Sequence, residues 1–149
     1  AKSVEAGSKI VKVQKDIALS SKDSEAAAKA AASAEEQAAV AALPSGSALL
    51  VVRRGPTVGA RFLLDSESTV AGRHPEADIF LDDVTVSRRH AEIVRTGTTF
   101  SIRDLDSLNG TYLDGERVSG GELVDGSEVQ IGKYRMTFLP SRHDLPAGA

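Results

Sequence analysis

The sequence has no cysteine and no tryptophan, one methionine, two tyrosines and four phenylalanines. Without cysteine there is no disulfide, no Cys-ligated zinc and no thiol nucleophile. An excess of positive charge is also missing. Eighteen Lys and Arg stand against 21 Asp and Glu, for a net charge of −3. That balance disfavours nonspecific nucleic-acid binding, which depends on surplus Lys and Arg. No apolar run approaches the ~20 residues of a membrane-spanning helix. No basic segment followed by an apolar stretch opens the sequence, so the expectation is a cytoplasmic protein without a secretory signal. At 149 residues, one domain with a tail fits better than two full domains.

What is present is unevenly placed. All six aromatics, Phe62, Phe80, Phe100, Tyr112, Tyr134 and Phe138, lie between 62 and 138. Residues 1–45 have no aromatic, no Arg and no Thr, and their six Lys balance six Asp and Glu. A core can therefore be built only in the second part. Residues 25–43, EAAAKAAASAEEQAAVAAL, are rich in the best helix former. Glu25 and Lys29 form a favourable i,i+4 pair, Ser24 or Asp23 can cap the start, and Pro44 with Gly46 stops the helix. The stretch has no wide apolar stripe, so two readings fit, a marginal exposed helix and a disordered Ala-rich linker. Val40 and Leu43 offer a small partner-binding face. Upstream, Ile10, Val11 and Val13 suit a short strand or a docking segment.

From residue 46 to about 140, short β-rich runs alternate with turn signals, the pattern of an all-β sandwich. The runs are Ala48–Arg54, Ala60–Leu64, Ser68–Ala71, Ile79–Leu81, Ala91–Thr96, Thr98–Asp104, Tyr112–Leu113, Glu116–Val118, Glu122–Val124, Ser127–Ile131 and Tyr134–Leu139. Gly97, Asp114-Gly115 and Asp125-Gly126 each read as a hairpin turn between neighbours. Eleven short strands suffice for two packed sheets. Residues 141–149 read as a C-terminal tail.

Three loops carry groups suited to a phosphate: Gly72-Arg73-His74-Pro75, Val86-Ser87-Arg88-Arg89-His90-Ala91 and Asp106-Ser107-Leu108-Asn109-Gly110-Thr111. A guanidinium presents a planar fork of donors to phosphate oxygens. A Ser hydroxyl and nearby backbone N–H groups can take the remaining oxygens. Asn109 can both donate to and accept from a peptide backbone. Taken singly, the arginines also fit solvated charges paired with Asp82-Asp83, and Asn109-Gly110 fits a simple turn.

The ordered set Gly72-Arg73, Asp78-Ile79, Leu81-Asp82, Val86-Ser87-Arg88, His90-Ala91, Asp104-Leu105, Ser107, Asn109-Gly110-Thr111 and Gly115 resembles a forkhead-associated (FHA) domain across roughly residues 48–139. The resemblance implies an eleven-stranded β-sandwich that binds phosphothreonine peptides. It places Arg73, Ser87 and Arg88 at the phosphate. It places Asn109, with Ser107 and Leu108, at the peptide backbone. Gly72, His90 and Gly110 take structural roles, with His90 tying the Ser87 loop to the Gly72 loop. It implies no cofactor and no metal.

The stretches LPSGSALLVVRRGPTVGARFLLD and AGRHPEADIFLDDVTVSRRHAE resemble one FHA subgroup more specifically, the actinobacterial glycogen accumulation regulators and oxoglutarate dehydrogenase inhibitors. That likeness implies a regulator downstream of a Ser/Thr protein kinase, acting on 2-oxoglutarate dehydrogenase and related enzymes, and a monomer is the default expectation. It also implies a tail whose phosphorylated Thr occupies its own site. The first Thr in this sequence is Thr57. FHA domains favour phosphothreonine because the γ-methyl fills a small pocket, worth ~0.8 kcal/mol or about fourfold. A tail with Ser alone predicts that the switch is missing or uses another chain's Thr. The alternative class is a phosphopeptide-binding domain cut from a larger scaffold protein. An enzyme built on Ser87 and His90 is disfavoured, since there is no Gly-x-Ser-x-Gly elbow and no orienting acid. His74, His90 and His143 lack a metal-ligand spacing. Residues 104–110 depart from a calcium loop, with the Gly one place late and no Glu following.

Overall fold

Alternation along the last strand shows how the sandwich is made. In Tyr134-Arg135-Met136-Thr137-Phe138, the first, third and fifth side chains are buried, and Arg135 is exposed. One face thus supplies a core and the other meets solvent. In the computed structural model, which describes residues 34–145, eleven strands follow this logic. They are β1 (Ala48–Arg54), β2 (Arg61–Leu64), β3 (Ser68–Gly72), β4 (Ile79–Phe80), β5 (Ala91–Thr96), β6 (Thr99–Asp104), β7 (Thr111–Leu113), β8 (Glu116–Val118), β9 (Gly120–Leu123), β10 (Glu128–Ile131) and β11 (Tyr134–Pro140).

They form two sheets, in the orders β2-β1-β11-β10-β7-β8 and β4-β3-β5-β6-β9. Only β3 and β4 pair in parallel. The inner faces meet in one core that includes Leu50, Leu64, Ile93, Ile102, Met136 and Phe138. Phe100 from one sheet meets Phe138 from the other edge-to-face, with ring centroids 5.3 Å apart. Among the described residues, the expected two-sheet β architecture with eleven strands is what forms, preceded by a short helix.

Two expected hairpins form and one does not. Gly97-Thr98 joins β5 to β6, and Asp114-Gly115 joins β7 to β8 with positive φ at both turn residues, a type I′ turn. Asp125-Gly126 does not close a hairpin. β9 pairs with β6 in one sheet, whereas β10 pairs with β7 and β11 in the other. The turn therefore carries the chain between sheets. The Gly126 N–H donates to Phe138 O and the Ser127 N–H to Val124 O. A two-residue turn signal fixes a reversal of direction but not the strand that will be the neighbour.

Residues 34–41 are helical, and residues 25–33 of the expected helix, with Ile10, Val11 and Val13, lie outside the described residues. The compact unit that holds the sandwich begins at Val40. Val40 and Leu43 are buried, which removes them as an exposed face for a partner. Past β11, Arg142–Asp144 make a short 3-10 turn capped by the Ser141 hydroxyl.

Strand direction decides where the three loops go. Ala71 at the end of β3 pairs with Ala91 at the start of β5, and Ala91 pairs with Asp104 at the end of β6. In the other sheet Thr111 pairs with Ile131, and Ile131 with Tyr134. The loops after β3, before β5, after β6 and after β10 therefore leave the sandwich at the same end.

Candidate phosphopeptide site

The Gly72 and Ser87 loops are bound along their backbones. The Arg73 N–H donates to Ser87 O at 2.9 Å, and the His74 N–H to Arg88 O at 3.2 Å. This approach requires glycine at 72. A Cβ there would stand 2.1 Å from Arg88 O, inside any allowed contact. The Arg73 Nε donates to Val86 O at 3.1 Å, which holds the exposed side chain by its base. Its two terminal NH₂ groups have no partner among the described residues. The same holds for the exposed Arg88 side chain.

His90 is fully buried and ties this pair to the third loop. The Ser87 N–H donates to its Nδ1 at 3.1 Å. A backbone N–H can only donate, so Nδ1 is the acceptor nitrogen and Nε2 carries the proton. Nε2 in turn donates to Gly110 O at 2.8 Å. The ring thus joins the Ser87 loop to the Asn109-Gly110 loop. It does not join it to the Gly72 loop, as the resemblance implied, because that contact is made by backbone bonds, including His90 N–H to Ala71 O. With Nδ1 engaged by a backbone N–H, His90 offers the Ser87 hydroxyl no proton acceptor.

The third loop is organised by Asp104. Its carboxylate accepts from the Ser107 N–H at 3.1 Å, from the Thr111 hydroxyl at 2.7 Å and from the Ser107 hydroxyl. Burial pushes the Asp104 carboxyl up, but these hydrogen bonds outweigh it and hold it below its ordinary value of 3.8. Ser107 Oγ also accepts the Gly110 N–H at 3.0 Å. Ser107 is therefore buried and its hydroxyl faces inward. Gly110 has a φ of +86°, a backbone conformation that residues with a side chain rarely adopt, so this loop too favours glycine.

Two bonds close the cleft. The Leu108 N–H donates to Ser87 Oγ at 3.1 Å, and Asn109 Nδ2 donates to Thr85 O at 2.8 Å. The first occupies an acceptor site of the Ser87 hydroxyl and leaves its proton to be donated elsewhere. The second fixes the Asn109 amide and leaves its oxygen to accept.

Sequence reasoning passed over Thr85 and Lys133. Thr85 bonds Asp83 through both its N–H and its hydroxyl, receives Asn109, and accepts the Lys133 N–H at 3.0 Å. The Thr85 hydroxyl and N–H bonds hold the Asp83 carboxyl below its ordinary value. No local motif marks Lys133. It reaches the site because the β10–β11 turn that carries it is bonded to the Thr85 loop and β10 pairs with β7. A depression of about 290 Å³ lies there, lined by Thr85, Asn109, Tyr112, Gln130, Gly132 and Lys133. A second cleft of about 500 Å³ opens beyond Arg88, lined in part by Val70, His74, Asp78 and Arg89.

One end of a β-sandwich thus presents an anchored guanidinium, a hydroxyl with a free proton and a positioned amide, the equipment of a phosphopeptide-recognition module. A family model described as the FHA domain matches residues 69–132. The chain is 61% identical over 100 residues to the oxoglutarate dehydrogenase inhibitor of Corynebacterium jeikeium, covering 67% of this chain and 69% of the relative. It is 63% identical over 100 residues to the glycogen accumulation regulator GarA of Mycolicibacterium smegmatis, covering 67% of this chain and 63% of that protein. Among solved structures, an FHA domain from a structural and functional analysis of phosphothreonine-dependent FHA domain interactions aligns with a TM-score of 0.58 at 32% identity, over 62% of this chain and 95% of its own. The chain belongs to the FHA-domain family, whose modules recognise phosphothreonine peptides. Those two relatives bear the names of an inhibitor and a regulator. Among the described residues, no helix is long and apolar enough to cross a membrane.

Proposed function

We propose that the phosphate of a phosphothreonine sits between Arg73 and Ser87, with Arg88 beside it and Asn109 holding the peptide backbone. One observation carries this reading. Ser87 Oγ accepts the Leu108 N–H with one lone pair and keeps its own proton to donate towards an incoming ligand, while Arg73, bonded through its backbone N–H to Ser87 O, has two terminal NH₂ groups without a partner among the described residues. A dianionic phosphate is complementary to both. Ser107 and Leu108 contribute by shape, through the Ser107 hydroxyl on Gly110 and the Leu108 N–H on Ser87. Gly72, His90 and Gly110 are positioning residues.

The names of its relatives support a regulator that binds 2-oxoglutarate dehydrogenase or related enzymes, and the proposal extends this to a cytoplasmic monomer that receives input from a Ser/Thr protein kinase. Calorimetry with a phosphothreonine peptide tests the site. A hydrogen bond to a charged group contributes ~1.5–3 kcal/mol, so Ser87→Ala should weaken binding at least tenfold and Arg73→Ala more. Wild-type affinity in either folded variant overturns the assignment. Co-purification of 2-oxoglutarate dehydrogenase with the wild type and with Ser87→Ala tests the partner.

A further inference from the structure

Six large apolar side chains are exposed among the described residues, and the two most exposed are Val84 at 87% and Leu108 at 83%. Single exposed aliphatics are ordinary on a protein surface. These two differ in where they stand. Val84 lies in the loop that carries Ser87, and Leu108 in the loop that carries Asn109. The two loops are tied across the cleft by the Leu108 N–H on Ser87 Oγ and by Asn109 Nδ2 on the carbonyl of Thr85, the neighbour of Val84. The tips of both cleft walls are thus aliphatic, three residues from Ser87 in one case and adjacent to Asn109 in the other.

The pattern extends one loop further. Val58, 65% exposed, lies between β1 and β2. That loop meets the β10–β11 turn, where the Thr57 side chain is hydrogen-bonded to Tyr134, and the same turn contacts Thr85 through the Lys133 N–H. Val84 and Leu108 therefore flank a polar centre of Arg73, Ser87 and Asn109, and a third exposed aliphatic stands on a loop joined to it through the β10–β11 turn. A centre of this kind fixes a phosphate and a backbone but does not select neighbouring side chains. The flanking aliphatics can do so by burying apolar atoms that water otherwise covers.

We propose that Val84 and Leu108 form an aliphatic clamp that selects phosphothreonine segments carrying branched aliphatic side chains beside the phosphothreonine. This rests on the phosphopeptide reading of the site and specifies which peptides it takes. The occupant follows from continuity with that site, since a segment held at Ser87 and Asn109 must pass both tips. Each seated side chain should be worth about tenfold in affinity.

The test uses the full chain and two synthetic phosphothreonine peptides. One has Ile and Val on both sides of the phosphothreonine and the other has Ser at the same places. Calorimetry should show the wild type preferring the aliphatic peptide by tenfold or more. The double variant Val84→Ser, Leu108→Ser should reduce that ratio to about threefold or less. A change that merely loosened the loops would weaken both peptides together and keep the ratio. A wild type that binds both peptides equally, or a folded double variant that keeps the preference, overturns the clamp. If neither phosphopeptide binds the wild type, the phosphopeptide reading fails, and the clamp with it.

Discussion

Replacing His90 with Leu tests the architecture of the site most directly. The side chain is fully buried, so a leucine of similar volume leaves no large cavity. What it removes is one acceptor at 3.1 Å from the Ser87 N–H and one donor at 2.8 Å from Gly110 O. Each backbone group left unsatisfied in a buried place costs ~1–3 kcal/mol. The sum is about 2–6 kcal/mol, against a stability of ~5–15 kcal/mol for a typical domain. The variant should fold but unfold at a markedly lower urea concentration, with an unchanged m-value. It should also bind a phosphothreonine peptide at least tenfold more weakly, because Ser87 and the Asn109-Gly110 loop lose their common anchor. A His90→Leu protein within 1 kcal/mol of wild type that keeps its peptide affinity would refute the argument that this ring holds the cleft together.

Two further outcomes follow from the same loops. Gly72→Ala places a Cβ 2.1 Å from Arg88 O, so the Gly72 and Ser87 loops must separate. Urea unfolding should show a loss of about 1–3 kcal/mol, and calorimetry a phosphopeptide affinity reduced by more than tenfold. The Asp104 carboxyl, held below 3.8, binds a proton less readily in the folded protein than in the unfolded one. Its contribution is therefore complete above about pH 4 and is lost as the pH falls through the lower folded value. Asp104→Asn should lower the stability at neutral pH and flatten the decline below about pH 4. Glu92, lowered by bonds from Ser68 and Arg103, keeps part of that slope. Unfolding curves with the same pH dependence in both proteins would contradict this account.

Much of the molecule was legible in the chain. The alternation in Tyr134–Leu139, the turn residues at Gly97 and Asp114-Gly115, and the confinement of aromatics to 62–138 are local signals, and local sterics and burial act on them directly. They determined the strands, the sandwich and the segments at which loops would form. The order of Gly72-Arg73, Ser87-Arg88-Arg89-His90 and Ser107-Leu108-Asn109-Gly110 identified the loops to watch.

Tertiary structure decided what joins to what. Asp125-Gly126 announced a reversal, but only the strand order showed that it passes between sheets. His90 is legible as a structural residue, yet its partner, Gly110, lies 20 residues away in another loop. Thr85 and Lys133 meet across 48 residues because the β4–β5 loop of one sheet and the β10–β11 turn of the other come together. Ser107 reads like a ligand contact until its hydroxyl is seen on Asp104 and Gly110. Hydrogen bonds between loops depend on which strand ends coincide, and burial depends on what packs above. Neither is encoded in residues close together in sequence, so the chain determined which groups the site would have, and packing decided which of them face a ligand.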